Sequence, residues 1–88
     1  MKSYRFFISG RVQGVFYRAY VAKNAQKTGF SGYVRNLDDG RVEAVVSCEA
    51  ERLPDFIELL QKGSEKSRVE GIEQIAIEER FSGVFVVS

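Results

Sequence analysis

The chain has 88 residues, 44% of them hydrophobic and 28% charged, and its thirteen basic and twelve acidic side chains leave a net charge of +1. A core of this size buries about 60% of the unfolded chain's surface, so one domain over residues 1–88 is expected, and the near-neutral charge excludes nucleic-acid or membrane-surface binding driven by charge alone. With no histidine and a single cysteine, the chain lacks a histidine base, a histidine metal ligand, an intrachain disulfide and a cysteine zinc site.

In chain order, Tyr4–Ser9 alternates as a strand, with Tyr4, Phe6 and Ile8 on one face. Gly10–Val15 is a glycine-bounded loop. Tyr17, Tyr20, Val21 and Ala25 then recur at helical spacing, with Arg18, Lys23, Gln26 and Lys27 on other faces, and Thr28-Gly29 stops the helix. Phe30–Asn36 and Arg41–Cys48 alternate again, joined by Leu37-Asp38-Asp39-Gly40 with its Asp-Gly hairpin signal; Val42, Ala44, Val46 and Cys48 share one face. Leu53, Phe56, Ile57 and Leu60 fall at i, i+3, i+4 and i+7 of a second helix, with Pro54 in its first turn and Gly63 at its end. Ser64–Gly71 reads as polar loop, Ile75 and Ile77 as a strand, and Val84–Val87 as a short last strand.

Strand, helix, strand, strand, helix, strand and a terminal strand predict an α+β, ferredoxin-like fold. Right-handed crossovers place both helices on one face of an antiparallel sheet. That plan hosts enzymes, RNA binders and sensors, so the site must decide the function.

Chemistry concentrates in Gly10-Arg11-Val12-Gln13-Gly14-Val15-Phe16-Tyr17-Arg18. A tight loop feeding a helix aims unpaired backbone N–H groups outward at the positive end of the helix dipole, which suits an anion. Gly14 permits left-handed torsions, so the amides from Gln13 to Arg18 can converge on one point. Arg18 adds a charged fork that matches two phosphate oxygens. Spacing alone also fits glycines that merely shape a turn. The loop lacks the Gly-Lys-Ser/Thr of a nucleotide P-loop and the three glycines of a dinucleotide fingerprint. In Gly32-Tyr33-Val34-Arg35-Asn36, the Asn36 amide at a strand end can hold a water and a phosphoryl oxygen, or simply serve the turn. Asp38 and Asp39 are explained by hairpin chemistry, and Cys48 by the core.

The first of these segments resembles the first signature of the acylphosphatases, and Gly32–Asn36 followed by Leu37-Asp38-Asp39-Gly40-Arg41-Val42-Glu43 resembles their second. The resemblance covers essentially the whole chain. It implies hydrolysis of the carboxyl–phosphate bond of a small acyl phosphate without metal or cofactor. It also assigns phosphate binding to Arg18 and to the amides of Gln13, Gly14, Val15, Phe16, Tyr17 and Arg18, and orientation of the attacking water to Asn36. Two departures stand out: Tyr17 where the family often has Phe, and Gly63-Ser64-Glu65 where it usually has Gly-Pro. The second is expected to lie far from the signatures and to affect loop rigidity only.

Lack of histidine agrees with an activated anhydride, whose carboxylate leaving group needs no proton. The alternative is a non-catalytic module that binds phosphate or carbamoyl phosphate. Arg80–Val87 loosely resembles the aromatic strand of RNA-recognition domains, but its glycine is misplaced, so no nucleic-acid partner is expected. No apolar run approaches the ~20 residues of a membrane span. Met1-Lys2-Ser3-Tyr4 shows no signal-peptide pattern, so a cytoplasmic location with no membrane partner is expected, and a monomer is expected because no second amphipathic stripe is left over.

Overall fold

A computed structural model describes residues Met1–Ser88. The elements in chain order are β1 (Lys2–Arg11), α1 (Tyr17–Lys27), β2 (Ser31–Asn36), β3 (Val42–Cys48), α2 (Leu53–Lys62), β4 (Arg68–Ile77) and β5 (Val86–Val87), with a 3-10 turn at Ala50–Arg52 leading into α2. They form one sheet in the order β4-β1-β3-β2-β5.

The alternation of β1 and β3 sets the register between them, Phe6 opposite Ala44 and Ile8 opposite Val42. These even-numbered positions face α1 and α2. Phe6, Ile8, Val34, Val42, Ala44 and Val46 join Tyr17, Val21, Ala25, Phe56 and Leu60 in one buried cluster. At its centre the Phe56 ring meets Phe30 at 5.2 Å, Phe6 at 5.6 Å and Phe85 at 6.0 Å between centroids. Such tilted and edge-on pairs are favoured by the ring quadrupole, and full burial of one phenylalanine is worth up to about 3 kcal/mol. Both helices therefore cover one face, as the ferredoxin-like plan requires.

Three features depart from the sequence reading. First, β4 begins at Arg68, so Arg68–Gly71 is strand instead of loop, pairing with β1 across a bulge at Ser9/Gly10. β4 is a mostly exposed edge strand whose core-facing Val69 and Ile72 are only half-buried, so its sequence records a weak pattern. Second, Val84–Val87 contributes only Val86 and Val87 as strand, while Phe85 turns into the core.

Third, the sheet is mixed. Its four longer strands are antiparallel, but β5 runs parallel to β2, with Tyr33 opposite Val86 and Val34 opposite Val87. Residues 78–85 carry the chain from β4 at one edge to β5 at the other, and a crossover of this kind permits parallel pairing. On the way, the Phe81 amide donates to Ser47 Oγ at 2.8 Å and the Phe81 ring packs edge-on against Tyr33 at 5.6 Å. Arg80–Val87 is thus a crossover with a short edge strand.

That crossover helps bury every residue of β3, including those facing away from the helices. Glu43 is among them. Its carboxylate accepts from Arg35 Nε at 2.7 Å and from the Tyr33 hydroxyl at 3.1 Å. Arg5 Nε lies 3.2 Å from the other carboxylate oxygen as an ion pair, angled too poorly for a hydrogen bond.

Candidate active site

The cleft forms where β1 ends and α1 begins. Gly10 has φ 120°, and a Cβ there would sit 2.1 Å from the Arg68 carbonyl oxygen, so only glycine fits the bulge in β1 that precedes the loop. Gly14 and Phe16 then adopt left-handed torsions, φ 72° and 63°, wrapping the backbone into a concave turn before Tyr17 starts the helix.

The result is a run of donors without acceptors. From Gln13 to Ala19 no backbone amide donates a hydrogen bond within the protein; the first to do so is Tyr20, to the Phe16 carbonyl at 3.0 Å. Helix α1 has no capping side chain and no acidic residue in its first turn. Its positive end is therefore uncompensated, and amide groups left unpaired at a helix start are satisfied by water or by an anion.

Around this turn lies a cleft of about 300 Å³ lined by Val12, Gly14, Phe16, Tyr17, Arg18, Ala19, Asn36 and Val87. It brings Arg18 and Asn36 together from separate elements, the first turn of α1 and the last residue of β2. Arg18 Nη1 donates to the Ser88 carbonyl at 3.0 Å, which ties the guanidinium to the residue that follows β5. Ser88 is itself held by its amide, which donates to the Val34 carbonyl at 2.9 Å. Asn36 is exposed, and its side-chain amide makes no hydrogen bond within the protein, so both its donor and acceptor remain for a ligand or a water.

The loop is fixed from outside. The Gln13 side chain donates both amide hydrogens to the hairpin after Asn36, to the Leu37 carbonyl at 2.8 Å and the Arg41 carbonyl at 2.9 Å. Ser64 Oγ donates to the Val15 carbonyl at 2.7 Å. Tyr17, buried beneath the loop, donates its hydroxyl to the Leu60 carbonyl at 2.8 Å. Burial, with a smaller contribution from Tyr20, pushes the Tyr17 phenol well above the ordinary tyrosine range, so it serves as a pin and not as an acid. Asp39 lies outside the cleft. The Arg41 amide and guanidinium hold its carboxyl below the ordinary range, which is hairpin chemistry as expected.

One expectation is overturned. Gly63-Ser64-Glu65 is not remote from the first signature, because Ser64 grips the loop directly. Sequence reasoning also missed the tethering role of the Gln13 side chain, the wall formed by Val87 and the hold of Ser88 on Arg18. The terminal apolar run was the only signal of that wall, and nothing in it named β2 as the partner.

The sequence-family model of the acylphosphatases matches residues 4–86. An acylphosphatase of Rubrobacter xylanophilus is 47% identical over 72 residues, which are 82% of this chain and 66% of that protein. One of Syntrophobacter fumaroxidans is 49% identical over 80 residues, 91% of this chain and 80% of that protein. The crystal structure of acylphosphatase from Bacillus subtilis superposes with a TM-score of 0.92 at 34% identity, covering 100% of this chain and 99% of the other.

Proposed function

The chain belongs to the acylphosphatase family, and from that premise we propose how its cleft carries out the hydrolysis of acyl phosphates to a carboxylate and inorganic phosphate. The observation that supports the reading best is the unbroken run of unpaired amides from Gln13 to Ala19 beside Arg18 and Asn36. In this reading the amides of Gln13, Gly14, Val15, Phe16, Tyr17 and Arg18 cradle the phosphoryl oxygens, and the Arg18 fork pairs with two of them.

Asn36 holds a water by its amide. The water oxygen attacks phosphorus in line as the bond to the acyl oxygen breaks, and the bonding electron pair leaves with the carboxylate. The conjugate acid of that leaving group has a pKa of about 4, so it departs unprotonated at neutral pH. No general acid is needed, and the water's proton passes to a non-bridging phosphate oxygen. What remains is positioning and stabilisation of charge on the equatorial oxygens, which amides and one guanidinium supply. A chain without histidine is equipped for this anhydride and poorly equipped for an unactivated ester. The substrate is a small acyl phosphate, and the protein acts as a cytoplasmic monomer.

The test is hydrolysis of benzoyl phosphate, followed by ultraviolet absorbance with EDTA present, for the native protein and for Asn36→Ala. Turnover that collapses in the variant while the inhibition constant for inorganic phosphate stays within about threefold is expected. A variant that keeps its kcat but loses phosphate affinity would overturn the role given to Asn36. Phosphate binding without any turnover would favour the non-catalytic module instead.

A further inference from the structure

Phe16 stands out in the cleft for two costs that nothing in the fold offsets. It is the only non-glycine residue with positive φ, at 63°. A bulky side chain rarely occupies this left-handed region, where glycine or asparagine would make the same turn with less strain. Its ring is also 78% exposed, more than any other large apolar side chain of the protein. It joins neither the core cluster nor any aromatic or cation–π pair. Backbone strain kept at a binding cleft points to function, and so does an exposed aromatic that packs on nothing.

Its position says what that function is. The ring borders the cleft on one side, together with Gly14, Arg18 and Asn36. On the other it borders a shallow groove along α1, shared with Ala19, Tyr20, Lys23 and Ser64, that does not include Asn36. In-line attack places the leaving oxygen opposite the water. With the water held by Asn36, the acyl group leaves the cradle on the side away from Asn36, and Phe16 is a cleft residue that also borders the groove Asn36 does not reach. We propose that Phe16 determines acyl specificity: its ring stacks on the acyl group and favours aromatic and larger apolar acyl phosphates over acetyl phosphate. This rests on the cleft being the site of acyl phosphate hydrolysis.

The experiment compares benzoyl phosphate with acetyl phosphate, which present the same phosphoryl group, in the native protein, Phe16→Asn and Phe16→Tyr. Asparagine tolerates the left-handed torsion without a ring, and tyrosine keeps the ring. The readout is the ratio of kcat/KM for the two substrates within each protein, so any loss common to both cancels. The benzoyl-to-acetyl ratio is expected to fall about tenfold in Phe16→Asn and to return to within about twofold of native in Phe16→Tyr, the scale on which a small apolar pocket discriminates. An unchanged ratio in Phe16→Asn overturns the proposal, as does a ratio that falls equally in both variants. Absence of turnover in the native protein overturns the catalytic reading alone. Phe16 is then judged by binding of phenylphosphonate against methylphosphonate: loss of a phenyl preference in Phe16→Asn supports the proposal, and an unchanged preference overturns it.

Discussion

Gln13 links the two halves of the cleft, and its removal tests whether their relative position matters. Its side chain donates to the carbonyls of Leu37 and Arg41 at 2.8 and 2.9 Å, which ties the amide loop to the hairpin next to Asn36. In Gln13→Ala both bonds are lost, yet neither carbonyl is orphaned. Leu37 still accepts from the Gly40 amide at 3.2 Å and Arg41 from the Leu37 amide at 2.8 Å. The cost is therefore the net worth of two part-buried hydrogen bonds, about 1–2 kcal/mol, without a desolvation penalty. For a domain of this size that lowers Tm by about 5–10 °C. Catalysis should suffer in a particular way. With the hairpin free to drift, the water on Asn36 departs from in-line geometry while the cradle keeps its own shape. A 1 Å misplacement can cost about a hundredfold in rate, so a partial drift is expected to lower kcat about tenfold. The inhibition constant of inorganic phosphate should move less than about threefold. Steady-state kinetics well below the lowered Tm, beside a calorimetric scan, separates the effects, and Gln13→Met controls for lost packing. A variant with the expected drop in Tm but native kcat would refute the coupling and leave Gln13 as a structural tie only.

Three further outcomes are expected. Arg18→Lys keeps the charge but loses the planar fork, so phosphate affinity and kcat/KM should each fall at least about tenfold; near-native kinetics would remove Arg18 from its assigned role. Glu43→Ala leaves Arg5 Nε buried beside an emptied position and deprives Arg35 and Tyr33 of their shared acceptor, so urea denaturation should show a loss of about 2–3 kcal/mol. A change under about 0.5 kcal/mol would mean that this polar cluster contributes nothing net. For Tyr17 the folded-state pKa is raised by burial, so the unfolded chain loses that proton from pH ~10 while the native chain keeps it. Its contribution is present in full below pH ~10 and is lost as pH rises above it. Alkaline titration by absorbance near 295 nm and circular dichroism should show Tyr17 ionising only as the fold opens, and a Tyr17→Phe curve as steep as the native one would contradict this.

Much of this protein was legible in its sequence, for a local reason. Amphipathic periodicity records burial along one dimension, so Leu53, Phe56, Ile57 and Leu60 announced α2, and Val42, Ala44, Val46 and Cys48 announced the helix-facing side of β3. The glycine loop before Tyr17 likewise announced a tight turn into a helix start, because the geometry there is set by the residues beside it. Tertiary structure decided what depends on distant partners or on exposed surface. The start of the edge strand β4 is too exposed to leave a clear pattern, and the parallel pairing of β5 with β2 required a chain path across the sheet. Ser64 reaches the Val15 carbonyl from 49 residues away, Gln13 reaches the hairpin from 24 and 28, and Arg18 reaches Ser88 from 70. Residue type says that such side chains can donate; only the folded chain brings the acceptors within 3 Å. The cleft thus takes its chemistry from short motifs and its alignment from contacts that no stretch of sequence contains.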